Sequence, residues 1–450
     1  MQPGLREFLQ DLERNGELVT VEKTVNPLHV NALLADSKKA VWLKHVDGYD
    51  MSVVGGLVRD PHKVALALNC KPEDIPRKLL EAKNNPIPPV LVKDAPLKEV
   101  IIHEKDVDLT LLPQIMQHEK DGGPYTGSGI QFAKHEKWGP DAGMYRHMFR
   151  TRNTMNIDFN SPNDIRLYYS EAYERGKPLE MAVAIGTHPI EMLAASTNSA
   201  TGVYEMTIAG ALRGEPVEMI KCETIDVEVP ANAEVVLECE VLPTGWTTDE
   251  GRYGEFHGIA GDVKKNPVVR VKAITHRKDA IWHSLVMPWE VYGLCAPSLE
   301  MQAINILEVA RLRPKAVRAP IGACGFFEIV ASLHNARPGE GKAAVLALMS
   351  LMGVKLVTVV DDDIDIYNDD ELRWAIALRV QADEDVVIAK NLQAKHMDPT
   401  VRTWELPKGQ LPTTAKMGID ATIPPGIPRS MYERLQYFNA DKVKLKDYLS

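Results

Sequence analysis

Residues 231–242 read ANAEVVLECEVL, and residues 268–276 read VVRVKAITH. Both runs alternate and are rich in Val and Ile, the signature of β-strands, as is VEMIKCE at 217–223. Working outward, strand-like runs separated by Gly and Asp clusters dominate from about residue 100 to about residue 295. Two helical stretches are expected to interrupt them, at about 165–175 (IRLYYSEAYER) and about 188–196. So many strands with so few long helices predict a closed or nearly closed barrel.

The flanks differ. LREFLQDLER (5–14) places Leu5, Phe8, Leu9 and Leu12 at helical spacing, with Gly16 as a stop. Helices near 28–38, 61–69 and 75–83, with short strands at 40–45 and 51–57, make residues 1–98 a small α/β unit. NNPIPPVLVKDAP (84–96) reads as a connection. Residues 298–312 (SLEMQAINILEVARL) predict one amphipathic helix capped by Ser298, within a linker at 298–314. After it, strand–helix alternation returns and predicts an α/β unit over 315–450, with one or two helices in the tail at 429–449. The fold class is therefore a multidomain α+β and α/β chain, the central unit spanning 99–297.

The composition excludes several functions. A net charge of -10 over 450 residues argues against nucleic acid, which needs a basic face. The five cysteines are scattered without C-x-x-C spacing, so neither a disulfide framework nor a zinc site is suggested, and reduced thiols fit a cytoplasmic protein. The N-terminus lacks the pattern of a signal peptide, and no apolar run is long enough to span a membrane.

The segment with most chemistry is GWTTDEGRYGEFHG (245–258). Glu250 and Glu255 are an odd number of residues apart, which puts them on opposite faces of a regular strand. Gly251 and Gly254 permit a turn that brings both carboxyls to one place, where one would be protonated near neutral pH. An exposed charged hairpin is the plainer reading of the same residues. Arg146 closes DAGMYR (141–146), and Glu205 stands among apolar residues in GVYEMTIAGA (202–211). Alone, Arg146 reads as a surface or rim residue, and Glu205 as either a satisfied core carboxylate or a metal ligand. Asp361–Asp363 read as solvated acids at a strand end, and PGEGK (338–342) as a helix start rather than a phosphate loop.

Taken together, DGGPYTGSGI (121–130), GMYR (143–146), GKPLEMAVAIG (176–186), GVYEMTIAGAL (202–212), EGRYGEFHG (250–258), VVDDDIDIYN (359–368) and AKMGIDAT (415–422) resemble the UbiD family of decarboxylases, in order and spacing, over nearly the whole chain. The resemblance implies a central flavin-reductase-like split β-barrel holding prenylated FMN. It also implies a non-oxidative, reversible decarboxylase acting on a small aromatic, heteroaromatic or α,β-unsaturated carboxylic acid. Arg146 matches the family's arginine, which orients the carboxylate and holds Glu250 ionised; Glu250 matches its first glutamate and Glu255 the proton donor. Glu205 matches a ligand of a divalent metal, Mn2+ or Mg2+, beside the cofactor phosphate. Its partners, an asparagine and a histidine in the family, fall here on Asp141 and Asp164, giving a more acidic site. K+ held near Ser196 would offset some of that charge. Gly143, Met144, Arg146, Asn163, Ser196 and Glu205 are the cofactor-binding candidates, and Met287, Tyr292, Gly325 and Phe327 the substrate-pocket candidates. A flavin prenyltransferase is the implied supplier of the cofactor, and a homodimer or homohexamer the implied assembly. The rival expectation is a non-catalytic flavin-binding subunit or scaffold.

Overall fold

The computed structural model describes residues 2–159, 162–401 and 412–449. The two runs quoted above pair with each other, Val235–Val241 against Val268–His276, at the centre of a seven-stranded antiparallel sheet. Its hydrogen-bonded order is Thr154–Asn156, Val268–His276, Val235–Val241, Leu179–Ile185, Ile130–His135, Gly139–Met144, with Val100–His103 on the same edge of Val268–His276 as Thr154–Asn156. This path has two ends rather than forming a ring. Both faces are covered. Val183, Leu237 and Val271 face a core with Trp282, while Ala182, Ala184 and Val236 face a second core shared with the long helix Trp289–Val309. Double burial explains why these strands are apolar beyond strict alternation.

The N-terminal sheet has the order Leu18–Val21, Ala40–Leu43, Ser52–Gly55, Ile281–His283, so its last strand comes from the far end of the central segment. The C-terminal sheet has the order Pro314–Arg318, Glu328–Leu333, Leu356–Asp361, Thr413–Ala421, Val386–Gln393, with Glu340–Leu348 and Asp369–Arg379 packed against it. Among the described residues, no helix is long and apolar enough to cross a membrane.

Four expectations need correction. A third helix, Glu205–Arg213, interrupts the central strands. Its β-branched Thr207 and Ile208 and its Gly210 mask it, while Gly214, at φ +78, ends it as a left-handed cap. The linker helix begins at Trp289, not Ser298; Pro297 lies inside it, and Ser298 is buried in mid-helix, its hydroxyl accepting from the Asn198 amide at 3.2 Å. The tail forms only the 3₁₀ turns Arg429–Tyr432 and Leu445–Tyr448, because its apolar residues find no core to bury against. Asp361 is buried rather than solvated, accepting from the Ile423 amide beside Arg379 and Arg429.

The long helix lies against the N-terminal unit at Gly293. A Cβ there would come within 1.7 Å of the Val58 carbonyl oxygen, in backbone that cannot yield as a side chain can. Gly293→Ala is expected to cost about 1–3 kcal/mol through overpacking. Urea titration reads the loss; an unchanged midpoint would show that the helix shifts freely.

Candidate active site

Arg146 follows the edge strand Gly139–Met144, and its loop is fixed from within the sheet. The Gln131 side-chain oxygen accepts from the Tyr145 amide at 2.7 Å, and its NH2 donates to the Tyr145 carbonyl at 3.0 Å. The same NH2 lies 2.9 Å from His147 Nε2, while His147 Nδ1 lies 3.0 Å from the Asn156 carbonyl. A nitrogen facing a carbonyl must carry the hydrogen, so His147 is the neutral Nδ1–H tautomer and Nε2 accepts from Gln131. Burial moves its pKa down from 6.5 to about 4. A base depressed on folding stabilises fully above its unfolded pKa, and that contribution fades as pH falls from 6.5 towards 4. About 3 kcal/mol is expected to disappear over this window. Urea unfolding at pH 7.5 and 4.5 should show the wild type losing more stability than His147→Gln; equal losses would refute this assignment.

So placed, Arg146 meets three acids. Nε donates to Glu250 at 2.7 Å, and Nη1 lies 3.0 Å from Glu255 and 2.7 Å from Asp158. The Tyr253 ring stands 4.7 Å from the guanidinium carbon. Lys264 Nζ adds contacts at 3.2 Å to Glu255 and 3.5 Å to Asp158, and the Asn266 amide donates to Glu250. Sequence reasoning missed Asp158, Lys264 and Asn266. The last two enter because Thr248–Glu250 pairs with Lys264–Asn266, a register no local motif announces.

The glycines do bring both glutamates to one arginine. Gly251 packs on Gly122, where a Cβ would be 2.4 Å from the Gly122 Cα. The Gly254 amide then donates to Asp121 at 2.8 Å, and the Glu255 amide to the Ile259 carbonyl at 3.0 Å. The chain therefore leaves the strand at Glu250 and returns with Glu255 on the same guanidinium. Among the described residues, Arg146 and Lys264 thus stand between Glu250, Glu255 and Asp158. Burial pushes the Glu250 carboxyl up, and Arg146 pulls it the other way.

Asp141 and Glu205 form a second acidic pair. Glu205 opens the helix Glu205–Arg213 and accepts from the Ala142 amide at 3.0 Å. Burial, then Asp164, pushes Asp141 up to about 7; burial, then Asp141, pushes Glu205 well up. Buried oxygen donors in mutual repulsion are chemistry that a hard divalent cation relieves. Asp164 stands apart, accepting from the Thr201 hydroxyl at 2.9 Å, and no three acid, histidine or cysteine side chains among the described residues close around a metal position. The pair fits such an ion; Asp164, as placed, does not complete it.

A cavity of about 720 Å³ joins these groups, large enough for a cofactor and a small substrate. Asp141, Gly143, Met144, Arg146, Asn163, Asp164, Ser196, Glu205, Glu255 and Met287 all line it. Ser196 donates to the Met192 carbonyl at 2.8 Å, and Asn163 caps the helix Asp164–Glu174. Tyr292, Gly325 and Phe327 do not reach the wall. Tyr292 packs on Trp289, Gly325 on Tyr292, and Phe327 on Phe256. Their places are taken by Val291, Leu294, Cys295, Phe326, Lys395 and Met397. A cavity of about 650 Å³ between Leu91 and Glu223 contains none of these groups.

Comparison with known proteins makes this chain a carboxy-lyase. Three family models cover most of the chain: the 3-octaprenyl-4-hydroxybenzoate carboxy-lyase N-terminal domain over 9–83, its Rift-related domain over 90–289 and its C-terminal domain over 299–421. The chain belongs to the UbiD family. It is 32% identical over 422 residues to the anhydromevalonate phosphate decarboxylase of Methanosarcina mazei, covering 93% of this chain and 95% of that one. The UbiD-class enzyme HmfF from Pelotomaculum thermopropionicum, solved with FMN, superposes with a TM-score of 0.92 at 36% identity, covering 99% and 100% of the two chains. An evolved dimeric form of HmfF, solved with prFMN, gives 0.88 at 34% identity over 100% of both.

Proposed function

We propose that the chain uses prenylated FMN to decarboxylate, reversibly and without net oxidation, a small aromatic, heteroaromatic or α,β-unsaturated carboxylic acid. The observation that carries this is Arg146 bridging Glu250 and Glu255 at the wall of the cavity. The flavin bound in HmfF supports the choice of cofactor. Gly143, Met144, Asn163 and Ser196 would hold the prenylated flavin, which when bound would supply the electron sink for loss of CO2.

The protein's own groups do the rest. Arg146 commits Nε and Nη1 to carboxylates, while Nη2 makes no hydrogen bond among the described residues. Nη2 is the donor that orients the substrate carboxylate. Glu255 is the acid that delivers a proton to the carbon that CO2 leaves, turning R–COO⁻ into R–H and CO2 and leaving its own carboxylate behind. Asp158 and Lys264 keep the charge of Glu255 balanced through both states. Asp141 and Glu205 would hold a divalent ion, Mn2+ or Mg2+, with Asp164 joining only if it turned from Thr201, and K+ would be held near Ser196. The central sheet is the flavin-reductase-like split barrel of 99–297, between an α/β unit at 1–98 and a C-terminal unit at 315–450. A flavin prenyltransferase supplies the cofactor, and the assembly is a homodimer or homohexamer.

The test is CO2 release from a panel of such acids by protein co-expressed with a flavin prenyltransferase. Bound cofactor with no CO2 from any acid sinks the reading and leaves a flavin-binding scaffold.

A further inference from the structure

The cavity wall contains one charged group that the chemistry above does not use. Lys395 follows the strand Val386–Gln393 and reaches the cavity beside Cys295, Phe326 and Met397. Its Nζ stands 5.4 Å from the centre of the Phe326 ring. No carboxylate among the described residues lies within ion-pair distance of it; the neighbouring Lys355 takes Asp398 instead. Burial pulls its pKa down, with only the Cys295 thiol acting against it. Among the described residues this half-buried ammonium meets a ring face and no counter-charge.

Its segment also faces the proton-transfer network. The adjacent His396 is close enough to Lys264, Arg166 and Asp158 to feel their charges. The wall near Lys395 is apolar, formed by Val291, Leu294, Phe326 and Met397. The pocket therefore offers one cation, Arg146, where the carboxyl is lost, an apolar stretch, and a second cation on the C-terminal unit.

We propose that Lys395 selects substrates bearing a second anionic group, a carboxylate or a phosphate, besides the carboxyl that leaves. This rests on the decarboxylase reading. The substrate's remote anion supplies the charge the fold withholds, and ion pairing at a site shielded from water is stronger than at the surface. Such an anchor also fixes which carboxyl reaches Arg146.

Equilibrium binding to the holoenzyme tests this with matched probes: benzoate against benzene-1,4-dicarboxylate, and benzoate against 4-phosphonooxybenzoate. The dianion should bind at least about tenfold more tightly in one or both pairs, and the pair showing the gap tells carboxylate from phosphate. Lys395→Gln should bring the ratio of affinities to about one, while Lys395→Arg keeps it. Unchanged melting temperatures guard against misfolding. A ratio near one in the wild type, or an unchanged ratio in Lys395→Gln, overturns the proposal. CO2 release is measured on the same samples. Turnover of monoacids with no ratio leaves the decarboxylase standing and removes the Lys395 role. A Lys395-dependent ratio without CO2 does the reverse.

Discussion

Glu255→Gln in the flavin-loaded enzyme is expected to lower turnover by roughly 10²–10⁴-fold, the range for removing a positioned general acid. The fold should survive. Glutamine keeps an oxygen for Arg146 Nη1 and Lys264 Nζ, which lie 3.0 and 3.2 Å from Glu255 Oε1 in the wild type. It also has the shape and neutrality of the protonated carboxyl that the proposed mechanism uses. What is lost is the exchangeable proton. The readouts are the rate of CO2 release and, separately, deuterium exchange into the product at the carbon that carried the carboxyl. Undiminished rates on both would remove Glu255 from the mechanism.

Arg146→Ala is expected to damage stability as well as activity. The guanidinium is almost wholly buried, and its loss takes from Glu250, Glu255 and Asp158 the cation that all three share. Removing one partner of a buried ionic cluster costs about 3–5 kcal/mol, because the remaining charges stay desolvated. The cost should shrink at lower pH, where the orphaned carboxyls take up protons. Arg146→Lys should recover part of the stability but little turnover. A single ammonium cannot hold Glu250 through one nitrogen, hold Glu255 and Asp158 through a second and present a third to substrate. Melting temperature against pH, alongside CO2 release, checks both. A fully stable alanine variant would mean the three acids do not depend on this cation.

What the sequence showed followed from how local each signal was. The runs at 231–242 and 268–276 carry their strand character residue by residue, and both are strands. The helix of 205–213 carries an ambiguous one, and Pro297 hid the first turns of the linking helix. Glu250 and Glu255 were readable as a pair only through family motifs, since their odd spacing points to opposite faces until Gly251 meets Gly122. Asp158, Lys264 and Lys395 arrive from distant strands and loops. Ordinary charged residues in ordinary contexts acquire meaning only from what they face. Of the pocket candidates, Met287 lines the cavity and Phe327 does not: Phe327 and Phe326 are neighbours in sequence, and which ring turns to the cavity is a matter of packing.

The N-terminal sheet cannot be finished when its first three strands leave the ribosome. Its fourth strand, Ile281–His283, pairs with Ser52–Gly55 only after nearly the whole central segment has been made. Until then Ser52–Gly55 offers a bare edge to any strand it meets, including that of a second nascent chain. Closing so long a loop is entropically slow, and this fold gathers its beginning and its middle in one late step. A chaperone that shields that edge would therefore raise the yield of folded protein more than one acting on the C-terminal sheet, whose strands all lie within residues 314–421.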